Sequence, residues 1–413
     1  MPYIKPFRGV RPRRDIVHLV AAPPYDVLSS DEAREMAKDN PYSFLHVGKP
    51  EIDLPPGTDL YSDAVYAKGK ENYERFLQEG VIAPDPRECF YIYKQVWGDH
   101  VQTGLVAAAS CRDYLDDLIK KHELTRPDKE NDRMRHIETL NAQTGPVFLT
   151  YRASEAIDAI VAGVLKGTPE YDFATNDGVR HIFHVVCDPD LIARIQKEFA
   201  NLDCLYVADG HHRSAAATRI KVKREKADPD HTGEEAYNFF LTVIFPHKQM
   251  KILSYNRVVR DLNGLDGQTF LNRVAERFEI TAAGRKTPNR PKEICMYLDG
   301  SWHVLEAKTG TFDDADPIAS LDVSILQRNL LEPVLGVVDP RTDKRIDFVG
   351  GIRGTDELER KVDGGGFAVA FSLFPTTIEQ LFDVADSGKI MPPKSTWFEP
   401  KLKDGLAVHA IGG

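Results

Sequence analysis

The chain has 413 residues, a formal net charge of -10, 42% hydrophobic residues and 28% charged residues. These are the proportions of an ordinary soluble globular protein with room for two or three domains. They exclude a general nucleic-acid binder, whose phosphate contacts need a basic surface, but not a small basic pocket for one phosphorylated ligand.

The opening "MPYIKPFRGVRPRRD" is basic without the apolar stretch of a signal peptide. No later run reaches the roughly 18 apolar residues of a membrane span, so a cytoplasmic protein without membrane contact is expected. "DIVHLVAAPPYDV" reads as a short strand stopped by two prolines, with Tyr25 and Asp26 in the turn that follows. "SSDEAREMAKDN" predicts a helix capped by Ser29 or Ser30, and "DAVYAKGKENYERFLQEG" a second helix ending at Gly80. "ECFYIYKQVW" and "VQTGLVAAASCRDY" predict a hairpin turning at Gly98-Asp99. A helix over Lys129 to Ala142, with Pro127 near its start, follows a segment dense in charge. "RHIFHVVCD", "CLYVADG" and "YNFFLTVIFP" read as strands, while "PDLIARIQKEFAN" and the stretch from Arg213 read as helices. A composition shift near residues 260–290 marks a second lobe, in which "RVAERFEI", "KEICMYLDGSWHVLEA" and "SLDVSILQRNLLEPVLG" read as helix, hairpin and helix. The expected division is 1–255 and 256–413, with the last segment packing back on the first lobe. Cys89, Cys111, Cys187, Cys204 and Cys295 are scattered, with no C-x-x-C pair. Reduced, mostly buried thiols are expected, and neither a zinc ribbon nor a disulfide framework.

Reactive residue types are densest at Asp209-Gly210-His211-His212-Arg213, where a strand turns into a helix. Glycine lets backbone approach a ligand, and a helix start offers N–H groups and the positive end of a dipole to an anion. Arg213 adds a bidentate grip on phosphate or carboxylate. His211 and His212 are adjacent, so they point apart and make a poor chelate for one ion. Asp209 is the candidate ligand for Mg2+, or the group that orients an imidazole. In "KHELTRPDKENDR", His122, Glu123, Arg126, Asp132 and Arg133 suit an acid/base and phosphate site. Alternating charge also describes a solvated helical face, and Glu123, ahead of the proline, is the stronger candidate for chemistry. "APPYDV" presents Tyr25 and Asp26 on a proline-stiffened backbone, which also suits a rigid turn with the tyrosine packed in the core. Near the end, "MPPKSTWFEPKLKDGL" offers Lys394 to phosphate, or else an arm docked through Trp397 and Phe398. "VGGIRGTDE" fits neither a dinucleotide fingerprint nor a P-loop, and no G-x-S-x-G occurs. His181, His184 and Cys187 share one strand and read as core.

Taken in order, "IKPFRGVRP", "APPYDV", "HELT…DR", "VADGHHRSAA" and "MPPKSTWFEPKL" resemble, across almost the whole chain, a bacterial and archaeal family of unknown function. Its members are often encoded beside phosphoglycerate dehydrogenase. "DGHHR" is also similar to the signature of the ParB and sulfiredoxin superfamily. Sulfiredoxins carry a reactive cysteine where this chain has His211. ParB proteins carry Gly-Glu-Arg-Arg, where the middle positions here are His211 and His212. The free-serine kinases of the superfamily fit best. That resemblance implies an α+β fold, with mixed sheets and flanking helices forming a ParB/sulfiredoxin-like core elaborated by a second C-terminal lobe.

The resemblance also implies phosphoryl transfer from ADP or ATP, with Mg2+, to a small hydroxy substrate such as serine. Asp209 would hold Mg2+ or substrate, and His211, His212 and Arg213 the phosphates, with Gly210 letting the backbone approach. Arg126, Arg133 and Lys394 are further phosphate candidates, and the base is Asp26 or Glu123. Two readings of other classes stand beside it. One is a nucleotide- or metabolite-binding regulator without turnover; the other is a metal-dependent hydrolase using His211, His212 and Asp209.

Overall fold

The apolar runs of the first 250 residues pair into one nine-stranded sheet. A computed structural model describes residues 1–282 and 284–412. It shows a mixed α+β chain of two units, Met1–Met250 with Pro400–Gly413, and Lys251–Glu399. In the first unit the sheet strands are β1 (Ile4–Lys5), β2 (Phe90–Trp97), β3 (His100–Ser110), β4 (Ile119–Lys120), β5 (Val147–Tyr151), β6 (Tyr171–Ala174), β7 (Val179–Val186), β8 (Leu205–Asp209) and β9 (Phe239–Pro246). Their order is β4-β8-β5-β9-β3-β2-β7-β6, with β1 on β3. Only β8 with β4 and β9 with β5 run parallel. The eight residues of β9 are all buried, as a continuous apolar run in a central strand requires.

The helices of this unit include α1 (Ser30–Ala37), α2 (Asp63–Gln78), α3 (Pro127–Leu140), α4 (Pro189–Ala200) and α5 (His211–Ala227). Ser29 caps α1 in a reciprocal box with Glu32, which satisfies two of the amides a helix start leaves unpaired. Ile195 and Phe199 of α4, with Ile157 and Ile160, join Leu149, Val207 and Ile244 in the main core. A second cluster centres on Phe44, Tyr73 and Phe76 and includes Val20, Leu140 and Val408.

"DIVHLV" is not a strand. Val17–Val20 forms a helical turn whose Val17 and Val20 are buried, and Ala22 bridges instead to Asp404. Burial in the second cluster overrides the β propensity of the valines. The last residues of "VQTGLVAAASCRDY" also leave the sheet, as the helix Cys111–Leu115 with Ser110 capping it.

The cysteine expectation is corrected as well. Cys89 and Cys187 form a disulfide, in which Cys111, Cys204 and Cys295 take no part. Pairing of Phe90 with Val186 sets the two cysteines opposite each other, with Cα atoms 4.5 Å apart. That closeness comes from sheet register, which no sequence spacing reveals. His181 and His184 are buried, in keeping with their reading as core.

The second unit is built on a separate six-stranded sheet of β10 (Tyr255–Val259), β11 (Phe278–Ala282), β12 (Glu293–Leu298), β13 (Ser301–Ala307), β14 (Ile346–Gly350) and β15 (Val369–Leu373). The order is β11-β13-β12-β15-β10-β14, every pair antiparallel. "RVAERFEI" divides between the helix Gly267–Val274 and β11. Among the described residues no helix is long and apolar enough to cross a membrane.

Candidate functional site

Strand β8 and helix α5 meet at the Asp209–Arg213 turn. The pairing of β8 with β5 shifts register between Val207 and Asp209, a bulge of the kind that re-aims a side chain at a strand end. Gly210 then takes φ +94°, and a Cβ there would lie 3.3 Å from the Val147 Cα. A side chain is therefore opposed both by conformation and by a strand that cannot yield. The Asp209 carboxylate meets Lys401 Nζ at 2.8 Å. Lys401 and Arg213 outweigh the effect of burial and hold the Asp209 carboxyl well below its ordinary range.

The two histidines diverge. His211 is buried against His122, edge to face with ring centroids 4.5 Å apart, and its Nδ1 lies 3.8 Å from Glu123 Oε2. His212 accepts a hydrogen bond from the Arg126 backbone N–H at 3.1 Å. Burial pushes His122 down to about 4 and drives His211 well below its usual value, so both rings are neutral at pH 7. The "HEL" segment thus lies directly on the "DGHHR" turn. The Arg126 side chain faces away to Asp128 and is largely exposed.

On its inner side the turn reaches a small, partly open cavity. Its lining includes Tyr25, Arg133, His136, Gly145, Arg213 and Asp404. Arg213 Nη1 donates to the Pro146 carbonyl at 2.7 Å, and Nη2 to both oxygens of Asp26 at 3.0 and 3.1 Å. Its Nε is buried with no hydrogen-bond partner. Tyr25 lies between the guanidiniums of Arg133, 3.8 Å from the ring centre, and Arg213, at 5.5 Å; burial raises its hydroxyl to about 12. Asp132 holds Arg133 through two hydrogen bonds and accepts a third from the Tyr66 hydroxyl.

Asp404 is the member that sequence reasoning missed. It is 4% exposed, and its Oδ1 is buried without a partner. Burial, helped by the charge of Asp26 and opposed by Arg213, Arg133 and Lys403, pushes its carboxyl up to about 7. The backbone of Asp404 is fixed by reciprocal hydrogen bonds with Ala22, immediately before "PPYD". The site therefore joins residues 25–26, 133, 145, 209–213 and 401–404 on one sheet end. Lys394 belongs to the second unit, where its Nζ lies 5.5 Å from the Tyr255 ring centre.

The family of proteins of unknown function named DUF1015 matches residues 4–324, and the chain belongs to it. A search of curated proteins finds no match. Among solved structures, a free serine kinase in complex with AMP is similar at 11% identity and TM-score 0.38, covering 74% of this chain and 91% of its own. A conserved hypothetical protein from Pyrococcus furiosus shows 13% identity and TM-score 0.37, covering 76% and 98%. C-terminally truncated SbnI from Staphylococcus aureus shows 12% identity and TM-score 0.39, covering 73% and 86%.

Proposed function

We propose that this DUF1015 chain is a phosphotransferase of free-serine-kinase type on a ParB/sulfiredoxin-like core. It would move a phosphoryl group from ADP or ATP to the hydroxyl of a small substrate such as serine. The observation that carries the reading is the cavity in which two guanidiniums and a buried carboxyl of near-neutral pKa meet beside the glycine-bridged start of α5. Phosphoryl transfer asks a protein mainly to position reactants and neutralise charge, and this set does both. The identity of the acceptor rests on the motif resemblance.

In the proposed step the substrate oxygen bonds to the terminal phosphorus as the bridging P–O bond breaks, and AMP or ADP leaves with the electron pair. The hydroxyl proton passes to a carboxylate. Of the two candidates from sequence, Asp26 pairs with Arg213 at the cavity while Glu123 lies outside it against His211, and Asp404 joins Asp26 because a base works best with a pKa near the working pH. Arg213 and Arg133 would compensate the phosphate charge, and the positive end of the α5 dipole would add to them. Asp209, now paired with Lys401 at 2.8 Å, would be the carboxylate to hold Mg2+, and the ion would neutralise phosphate charge.

Incubating the full chain with serine, Mg2+ and either ADP or ATP should yield phosphoserine with AMP or ADP. Arg213→Ala should abolish the yield. No product with any hydroxy amino acid, together with no thermal stabilisation by either nucleotide, would overturn the proposal.

A further inference from the structure

Outside the cavity, on the other side of the turn, His122, Glu123 and His211 bring one ligand atom each to within 4.8 Å of one another. His122 follows β4 and His211 opens α5, so parallel pairing of β4 with β8 carries the two rings together. We propose that His122, Glu123 and His211 form a binding site for a divalent transition-metal ion of the Zn2+ class, distinct from the cavity and from any Mg2+ that accompanies nucleotide.

Two observations point to a ligand there. First, Nε2 of His211 is buried with no hydrogen-bond partner, and His122 makes no hydrogen bond of good geometry, having only the Val207 backbone beside it; the two residues are only 5% and 2% exposed. A buried polar atom left unpaired costs about 1–3 kcal/mol, and groups of such atoms are rare unless a water or ion satisfies them. The two imidazoles do not satisfy each other, because their edge-to-face contact places no N–H on a neighbouring nitrogen. Second, the donor set is chemically matched. Neutral imidazoles present lone pairs, and Glu123 adds an anionic oxygen 3.8 Å from His211 Nδ1. Bonds of about 2.0–2.1 Å place neighbouring ligand atoms roughly 3–4 Å apart, which modest side-chain rotation achieves from this arrangement.

Two nitrogens and one oxygen favour Zn2+, or Co2+, Fe2+ and Mn2+ in its place, over Mg2+ and Ca2+, which prefer all-oxygen shells. Three protein ligands leave a position for water or substrate. The other trio of potential ligands among the described residues is Asp228, His231 and Glu235. There His231 already contacts the Tyr237 hydroxyl at 2.9 Å and the Glu235 carboxylate at 3.0 Å, so no group awaits an ion. The surplus of unsatisfied donors is what separates the first trio from the second.

The test uses untagged full-length protein, stripped by chelator and titrated with Zn2+ alone in a calorimeter without nucleotide, and with Co2+ followed by its visible d–d absorption. One equivalent is expected, with affinity reduced at least about tenfold in His122→Ala and in Glu123→Gln, and unchanged in His231→Ala. Circular dichroism confirms that each variant is folded, and Glu123→Gln keeps the shape of the side chain while removing its charge should His122→Ala melt early. A large excess of Mg2+ should not displace the bound ion. Binding well below one equivalent, binding that survives both His122→Ala and Glu123→Gln, or binding lost in His231→Ala would each overturn the assignment. Because no nucleotide is present, failure here leaves phosphoryl transfer standing, and failure of phosphoryl transfer leaves this site standing.

Discussion

Replacing Asp404 by asparagine keeps the shape of the side chain and removes its titration. The carboxyl has an ordinary value of 3.8 and is pushed up to about 7 by its buried position. Between those values the unfolded chain has released the proton while the folded chain still holds it, so the wild type loses stability as pH rises. The loss is about 1.4 kcal/mol per pH unit, or roughly 4 kcal/mol across the whole window, and ends once the folded group has ionised. Asp404→Asn has no such slope. Its stability relative to wild type should therefore rise by about 3 kcal/mol between about pH 5 and about pH 8, whatever constant offset the amide brings beside Arg213 and Arg133. Urea unfolding of both proteins at several pH values, followed by circular dichroism, gives the gap directly. A gap that stays flat within about 0.5 kcal/mol, or narrows with rising pH, refutes the claim that burial holds this carboxyl protonated. The same variant should lose phosphoserine formation if Asp404 takes the substrate proton.

Gly145→Ala is conformationally permitted, since Pro146 already confines that residue to extended backbone. The new methyl would lie 3.1 and 3.3 Å from the Asp404 carboxylate oxygens, so Asp404 must shift and nucleotide-induced thermal stabilisation should fall; an unchanged ligand response would show that the cavity is not used. Asp209→Asn removes a carboxylate held below its ordinary range. Its contribution is present above about pH 4 and disappears as pH falls through the folded value, so the stability gap of about 1–3 kcal/mol at pH 7 should close in acid. A gap independent of pH would refute that. The Cys89–Cys187 bond closes a loop with a sequence separation of 98, for which reduction should cost up to about 5 kcal/mol. Thiol titration in denaturant should count Cys111, Cys204 and Cys295 before reduction and all five cysteines after it; five at the outset would show that the bond does not form.

How much of this was legible in sequence depended on how local the cause was. The cap at Ser29 and the hairpin turning at Gly98-Asp99 follow from neighbours a few residues apart and stand where the pattern places them; the helix expected over Lys129 to Ala142 forms two residues earlier, opened by Pro127 and ending at Leu140, with Ala142 already in a strand. The turn at Gly210 was legible for the same reason. Asp404 was not. "KLKDGL" reads as an ordinary Asp-Gly turn, and nothing nearby tells that Ala22, Gly145 and Arg213 surround it. The disulfide was hidden likewise, because strand register alone brings Cys89 to Cys187. "DIVHLV" misled in the opposite direction, since its alternation is that of a strand while burial of Val17 and Val20 selects a helical turn.

The ion pair between Arg213 and Asp26 gives the proposed chemistry its sharpest consequence. Arg213 is nearly buried, whereas the Asp26 side chain is 39% exposed, so Asp26 is the partner that can move. An incoming phosphate competes with Asp26 for the same guanidinium nitrogen. If it wins, Asp26 is released beside the reacting group as an acceptor for a proton. Asp26→Asn should then bind nucleotide more tightly, by about 3–10-fold given the modest worth of a half-exposed pair, while turnover falls. Isothermal titration with ADP and ATP, set against initial rates of phosphoserine formation, separates the two effects. Weaker binding in Asp26→Asn would mean that the carboxylate positions Arg213 for phosphate instead of competing with it, and the exchange would be wrong.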